Sequence, residues 1–232
     1  MARPTSENSL TQLLWKLGVG ARIYVRSVAA GVFTIKDTVG VDDARVRVMV
    51  AAGTGAAPFI SMIRSEVRRN ALADLSKWVL LHGASYAREL GYRQELLELS
   101  KANRLKYWGT VSRPRESGNW SGDVGRVESF FEPDRLLDLE QRLGLSAGGF
   151  NPRRAAILVC GLTGTIGSAL VLLLDRGFIP HAQGIRDALG VPPDASDSMF
   201  YEMYDPTPVI DINDPTVIGP LRARMQTALA GT

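Results

Sequence analysis

A glycine-rich turn between an apolar strand and a helix constrains this chain more than any other feature of its sequence. The run Val48-Met-Val-Ala-Ala predicts a buried strand, and Gly53-Thr54-Gly55 predicts a tight turn before a helix that carries Pro58 early in its first turn. Glycine permits positive φ angles and close approach of a ligand, and Thr54 adds a hydroxyl donor. A helix after such a turn directs unpaired N–H groups and its positive dipole end at the turn. The pattern favours a phosphate or pyrophosphate site over a plain strand–helix connection.

Composition excludes several classes of protein. The 232 residues are 45% hydrophobic and 22% charged, which is ordinary for a globular chain of one large or two small domains. The formal net charge of +3 is dispersed, so we expect no nucleic-acid partner. A single cysteine, Cys160, excludes an internal disulfide and Cys-rich metal sites, and His82 and His181 are far apart, so no metal is expected. With neither a signal-peptide pattern nor a membrane-length apolar run, the expectation is a cytoplasmic protein without membrane contact.

From Arg45 onward, strand and helix patterns alternate. Repeated strand–helix units predict an α/β fold with a doubly wound parallel sheet, in which ligands bind beyond the carboxyl ends of the strands. Segments 53–58, 110–113 and 160–167 should lie at that edge. The predicted strands are 46–50, 78–81, 105–111, 155–160 and 199–204, and the predicted helices are 58–72, 85–102, 124–131, 135–143 (with Asp134 as a cap), 166–176 and 217–229.

Residues 1–44 differ from the remainder. They predict an amphipathic helix at 10–17 and strands at 21–25 and 31–35. Two strands and a helix do not make an independent sheet domain. Residues 1–44 should therefore pack on residues 45–232, or be the end of a domain that begins elsewhere.

Several motifs, taken in order, resemble the ferredoxin–NADP reductase family, in particular its bacterial branch. The resemblance covers about residues 9 to 178 and, more loosely, the chain to residue 211. It implies an NADP-binding domain preceded by a truncated antiparallel β-barrel, the remnant of a flavin domain. The matching segments are Leu10-Thr11 through Gly20 and Gly31–Thr34 (barrel), Gly53–Pro58 (pyrophosphate turn), His82–Arg93, Thr110–Arg113 and Gly125-Arg126-Val (2′-phosphate), and Val159-Cys160-Gly161 (nicotinamide).

The resemblance also implies roles for individual residues. Cys160 and Tyr204 would be the catalytic residues, lying beside the nicotinamide and the flavin; both are also ordinary core residues by type. Arginine suits a phosphate dianion, although each arginine alone is also a typical surface residue. Thr11 would contact the flavin phosphate or cap a helix. The cofactor-binding set is Thr11, Gly53, Thr54, Gly55, Pro58, Ser85, Arg88, Tyr92 (on adenine), Arg113, Arg126 and Gly161.

The implied activity is hydride and electron transfer between NADP(H) and FAD, and on to a ferredoxin or flavodoxin. The family's Arg-x-Tyr-Ser flavin motif has no counterpart, and its Gly-x-x-Ser/Thr turn survives only as Asn8-Ser-Leu-Thr11. A second subunit completing the flavin site, or an NADP-binding or interaction subunit without its own flavin and catalysis, is therefore the alternative. The run Cys160–Gly167 has three glycines that could form a second dinucleotide turn, but no Tyr-x-x-x-Lys accompanies it, which excludes a short-chain dehydrogenase.

Overall fold

The computed structural model describes residues 10–28, 30–204 and 206–231, which divide into two units, 1–32 and 33–232. The described part of the first unit holds one helix, α1 (Leu10–Trp15), and no strand. The strands predicted at 21–25 and 31–35 are therefore wrong, because a strand needs a hydrogen-bonded neighbour and no described residue before Val46 provides one. Phe33 instead packs with its ring centroid 5.9 Å from that of Phe59. Asn8 and the side chain of Thr11 lie outside what the structure describes.

The second unit is built on one parallel sheet, which confirms the predicted α/β class. Its order is β4-β3-β2-β1-β5-β6. The order reverses between β1 and β5, and this switch point opens a crevice at the carboxyl ends of the two strands. The strands are β1 (Val46–Ala52), β2 (Trp78–Ala84), β3 (Lys106–Val111), β4 (Asp123–Val124), β5 (Ala155–Gly161) and β6 (Met199–Met203).

Helices cover both faces of the sheet. Short 3₁₀ turns occupy Gly53–Gly55, Ala87–Glu89, Pro114–Glu116 and Val127–Phe131. The helix predicted at 85–102 is interrupted, since Tyr92 adopts a left-handed conformation before the regular helix begins. The α-helices are α2 (Ala56–Arg69), α3 (Arg93–Asn103), α4 (Pro133–Leu143), α5 (Thr163–Leu174), α6 (Gln183–Leu189) and α7 (Pro215–Ala230).

Three local predictions need correction. The helix predicted at 124–131 is wrong: strand β4 ends at Val124, and Val127–Phe131 forms only a 3₁₀ turn. Asp134 does not cap α4, because Pro133 takes the first helical position and Glu132 is the residue before it. The helix α6 was not predicted: its seven residues are too few to show a clear helical period.

The core has two layers, one on each face of the sheet. Alternate residues of β1 point to opposite faces, so Val48 and Val50 join α4, α5 and α7, while Met49 and Ala51 join α2 and α3. Strands β1 and β5 are buried on both faces, as parallel strands usually are. The glycine turn therefore follows a strand that lies in the centre of the core. No helix within the described residues is long and apolar enough to cross a membrane.

Candidate functional site

The glycine turn is packed directly against the end of β5. A Cβ atom added to Gly55 would lie 2.0 Å from the Cys160 carbonyl oxygen, and one added to Gly161 would lie 3.1 Å from the Ala52 Cβ. Gly55 is therefore required by the close approach of two backbones, while a Cβ at Gly161 would make a tight contact with the Ala52 side chain. Gly53 differs, because its φ is +55° and a Cβ there would meet nothing within 4 Å. Gly53 is the residue whose conformation needs glycine on the open side of the turn.

Helix α2 begins at the residue after this turn. The Ala56 N–H bonds back to the carbonyls of Gly53 and Thr54, and Pro58 lies in the first helical turn, as predicted. This first turn carries no acidic side chain. No carboxylate in this turn therefore offsets the positive end of the α2 dipole, which favours an anion at the turn.

The glycines after Cys160 serve packing. Gly161 faces Ala52, and a Cβ at Gly167 would lie 2.8 Å from the Val209 carbonyl oxygen. Only Gly164, inside α5, faces open space. Two of the three glycines are thus explained without a second dinucleotide turn.

The two predicted catalytic residues are in contact beside the turn. The buried Cys160 Sγ donates a hydrogen bond to the Tyr204 hydroxyl at 3.2 Å and lies 4.0 Å from Glu202 Oε2. The Tyr204 hydroxyl in turn donates to the Thr54 carbonyl at 3.4 Å. Burial raises the pKa of the Cys160 thiol to about 11, and burial also raises the pKa of Tyr204. Cys160 is therefore a neutral thiol at physiological pH, not a thiolate nucleophile.

A second group of side chains lies past the ends of β2 and β3. The Arg113 Nη1 donates a hydrogen bond to the Tyr86 hydroxyl, and the Arg88 and Arg113 guanidinium carbons lie 4.2 and 5.3 Å from the Tyr86 ring centroid. We call Tyr86, Arg88 and Arg113 the arginine–tyrosine cluster. It brings together two of the predicted phosphate ligands. Tyr86 was missed in the sequence, although an aromatic residue two positions before Arg88, just past a strand end, was an available signal.

Three other predicted ligands have different surroundings. Arg126 follows β4, which pairs with β3, the strand before Arg113. Its Nε forms an ion pair with Glu128 at 2.6 Å. The centroid of the Tyr92 ring lies 4.8 Å from the Arg64 guanidinium carbon. The Ser85 carbonyl accepts the Arg113 N–H at 3.0 Å and so ties the β2 loop to the β3 loop. Their contact with a cofactor stays a prediction.

A buried histidine lies next to the glycine turn. His82 on β2 pairs in register with Ala51 of β1, and its side chain is fully buried. Its Nδ1 lies 3.4 Å from the Tyr107 hydroxyl, while its Nε2 makes no hydrogen bond to any residue that the structure describes. Burial lowers the pKa of His82 to about 4, although the Gly53 backbone opposes this shift. The imidazole is therefore neutral at physiological pH.

Two further features lie apart from this edge. Among the described residues, no group of three His, Cys, Asp or Glu side chains is arranged to hold a metal ion. An open cavity of about 1030 Å³ lies at the amino ends of β1 and β5, with Arg45, Arg176 and Arg224 in its wall. These arginines pair with Asp43, Glu140 and Asp175. The cavity is thus at the opposite end of the sheet from the glycine turn.

The sheet order, the glycine turn at the switch point and the arginines beyond the neighbouring strands define a dinucleotide-binding α/β domain. Residues 49–169 match the family model described as the oxidoreductase NAD-binding domain. The chain belongs to the ferredoxin–NADP reductase family.

Curated relatives carry the same name. The chain is 35% identical over 129 residues to ferredoxin–NADP reductase B of Sorangium cellulosum, covering 55% of this chain and 47% of that protein. It is 29% identical over 157 residues to the flavodoxin/ferredoxin–NADP reductase of Shigella flexneri, covering 67% of this chain and 57% of that protein. The chain thus spans about half the length of these relatives. A flavohemoglobin structure from Malassezia yamatoensis superposes with a TM-score of 0.55 at 16% identity, covering 88% of this chain and 43% of that one, which supports the fold.

Proposed function

We propose that this chain binds NADP(H) at the carboxyl edge of its sheet and acts as the dinucleotide-binding part of a ferredoxin–NADP reductase. The observation that carries the proposal is that a glycine turn and a pair of arginines lie along one edge of the sheet. The Gly53–Gly55 turn follows β1, and the arginine–tyrosine cluster follows β2 and β3, which are the next two strands. Backbone N–H groups at the turn suit the pyrophosphate, and the guanidinium groups suit the 2′-phosphate.

The residues of this edge fit a dinucleotide and give it an orientation. When bound, NADPH supplies a hydride from its nicotinamide. Gly161 is buried and faces Ala52, so its missing Cβ keeps the carboxyl ends of β1 and β5 close together. Cys160 remains protonated at the end of β5, and Tyr204, the residue after β6, accepts its hydrogen bond. These residues would position a ring and exclude water, with no proton transferred by either.

The flavin and the electron partner belong to the wider proposal. Relatives named as ferredoxin or flavodoxin reductases suggest a ferredoxin or flavodoxin as the partner. The sequence motifs that resemble the family suggest FAD as the second cofactor. The described residues before Val46 do not fit a flavin site by themselves, because they contain no strand and the sequence lacks the Arg-x-Tyr-Ser motif. We therefore propose that a further polypeptide segment or subunit completes the flavin site.

The second candidate function is an NADP-binding or interaction subunit without its own flavin. The lack of a strand among residues 10–28 and 30–45 favours it. The two candidates differ in colour and in redox response. A flavoprotein absorbs in the visible range, whereas a subunit that only binds NADP(H) is colourless.

The experiment is an absorbance scan of the purified protein, repeated with added FAD and then with NADPH under anaerobic conditions. Flavin bands that NADPH bleaches, with electrons passing on to an added ferredoxin or flavodoxin, would support the reductase. A colourless protein that ignores FAD but binds NADP⁺ would support the binding subunit. A protein that binds neither cofactor would contradict both.

A further inference from the structure

We propose that Tyr86 is a positioning residue that gives this site its preference for a 2′-phosphorylated adenosine, by holding Arg88 and Arg113 together. The inference rests on the proposed NADP(H) site and deepens it. Tyr86 has no charge with which to bind a phosphate, so its effect would act through the two arginines.

The first observation is the gathering of two cations around one neutral ring. Both guanidinium groups lie against Tyr86, at 4.2 and 5.3 Å from its centroid, and the Arg113 group also donates to its hydroxyl. Two like charges held against the same ring repel each other. The ring face and the hydroxyl oxygen attract a cation and offset part of that repulsion.

The second observation is that neither arginine has a carboxylate partner. Ion pairs hold ten other arginines, but none joins Arg88 or Arg113 to a carboxylate within the described part of the chain. The hydrogen bond to Tyr86 is the main cause that raises the pKa of Arg113, and Glu116 and Glu89 add to it from the same loops without forming an ion pair with it. Two guanidinium groups without carboxylate partners can both turn toward a dianion.

The third observation is that the loop backbone is held by contacts other than the Tyr86 side chain. The Ala87 N–H donates to Ser117 Oγ at 3.2 Å, and Ser117 Oγ donates to the Arg113 carbonyl at 2.9 Å. The Arg113 N–H donates to the Ser85 carbonyl, and the Tyr86 N–H donates to Glu89. Removing the ring should therefore free the two arginine side chains while the loops keep their path.

Holding the two arginine side chains in place favours only ligands that carry a 2′-phosphate. A long arginine side chain loses conformational freedom when it binds a phosphate, and a side chain that is already held loses less. This gain applies only to a ligand with a phosphate at the 2′ position. A ligand with the same adenosine and 5′-phosphate but no 2′-phosphate would not use the cluster.

The experiment compares two probes, 2′,5′-ADP and 5′-AMP, which differ only by the 2′-phosphate. Their Kd values are measured by calorimetry at one fixed salt concentration for the wild type, Tyr86→Leu and Tyr86→Phe. Tyr86→Leu removes both the ring and the hydroxyl and should weaken 2′,5′-ADP about tenfold. Tyr86→Phe keeps the ring and should weaken it by about threefold, while 5′-AMP stays within about twofold in both.

The matched control is Tyr201→Phe, which removes a tyrosine hydroxyl from β6, where the ring packs edge-on to His181. It should leave both Kd values unchanged. Thermal unfolding of each variant is recorded alongside.

The outcomes separate the two proposals. If the wild type binds 2′,5′-ADP no more tightly than 5′-AMP, the NADP(H) proposal fails and takes this inference with it. If the wild type discriminates and Tyr86→Leu keeps the same ratio, the role of Tyr86 is overturned and the NADP(H) proposal stands. An equal loss for both probes would indicate a structural role and would also overturn the inference.

Discussion

Gly55 and the Cys160 carbonyl oxygen are so close that a methyl group on Gly55 would lie 2.0 Å from that oxygen. The contact joins the turn after β1 to the end of β5 across the switch point of the sheet. Because both partners are backbone, neither can rotate away as a side chain would. The spacing of the crevice floor depends on this one missing Cβ.

Gly55→Ala should therefore destabilise the protein by about 1–3 kcal/mol, since a backbone shift is needed to relieve the overlap. It should also weaken NADP⁺ binding by displacing the turn. The free energy of unfolding, measured in urea, checks the first effect. Gly164→Ala is the control, because a Cβ there meets nothing within 4 Å inside α5. A helical glycine replaced by alanine gains about 0.5–1 kcal/mol, so an equal loss in the two variants would contradict the account.

Stability should fall on acidification because of His82. Its folded pKa is about 4, below the usual 6.5, so the unfolded chain binds the proton first. The stability that the neutral His82 gives the folded state is fully present above pH 6.5 and is lost as the pH falls toward 4. The free energy of unfolding should fall by about 1.4 kcal/mol per pH unit, and by about 3 kcal/mol in total.

The measurement is the free energy of unfolding of wild type and His82→Gln from pH 7.5 to pH 4. The variant should lose less stability over this range, whatever its stability at pH 7.5. His181 also has a pKa lowered by burial and remains in both proteins, so it cancels in the difference. Parallel curves would show that His82 is not the group responsible.

Cys160 should be slow to react with thiol reagents in the folded protein. Burial raises its pKa to about 11, so very little thiolate is present at pH 8. As the chain has one cysteine, the thiol count reports this residue alone. Labelling by a disulfide reagent at pH 8 should be slow in buffer and complete in denaturant. Fast labelling in buffer would show an exposed or activated thiol.

Arg113→Ala should weaken NADP⁺ binding by about tenfold and leave NAD⁺ binding within about twofold, because a guanidinium–phosphate contact is charge-assisted. Calorimetric titration with the two dinucleotides checks the ratio. Arg69→Ala is the control, since that arginine pairs with Glu66 on the exposed side of α2. A parallel loss for NAD⁺ would place Arg113 elsewhere than at the 2′-phosphate.

Local sequence patterns predicted most of the sheet, but they could not show which side chains contact each other across it. Strands β1 and β5 were readable because burial on both faces gives continuous apolar runs, and the Gly53–Gly55 turn was readable because glycines interrupt such a run. The strands predicted at 21–25 and 31–35 were wrong. Alternation of apolar and polar residues shows which residues would share a face, but it does not show whether a neighbouring strand is present to form hydrogen bonds. Tyr86 and His82 were missed because their contacts are with residues that are distant in sequence. Tyr86 contacts Arg113 after β3, and His82 lies beside Ala51 of β1, and spacing along the chain shows neither contact.

The central claim is that an anionic dinucleotide binds at the carboxyl edge of the sheet, and an NMR titration of the ¹⁵N-labelled protein with NADP⁺ tests it most directly. The account predicts saturable shifts of the backbone amides of Gly53, Thr54 and Gly55, together with those of Arg88 and Arg113. Shifts confined to the cavity at the other end of the sheet, around Arg176 and Arg224, or no saturable shift at all, would contradict it.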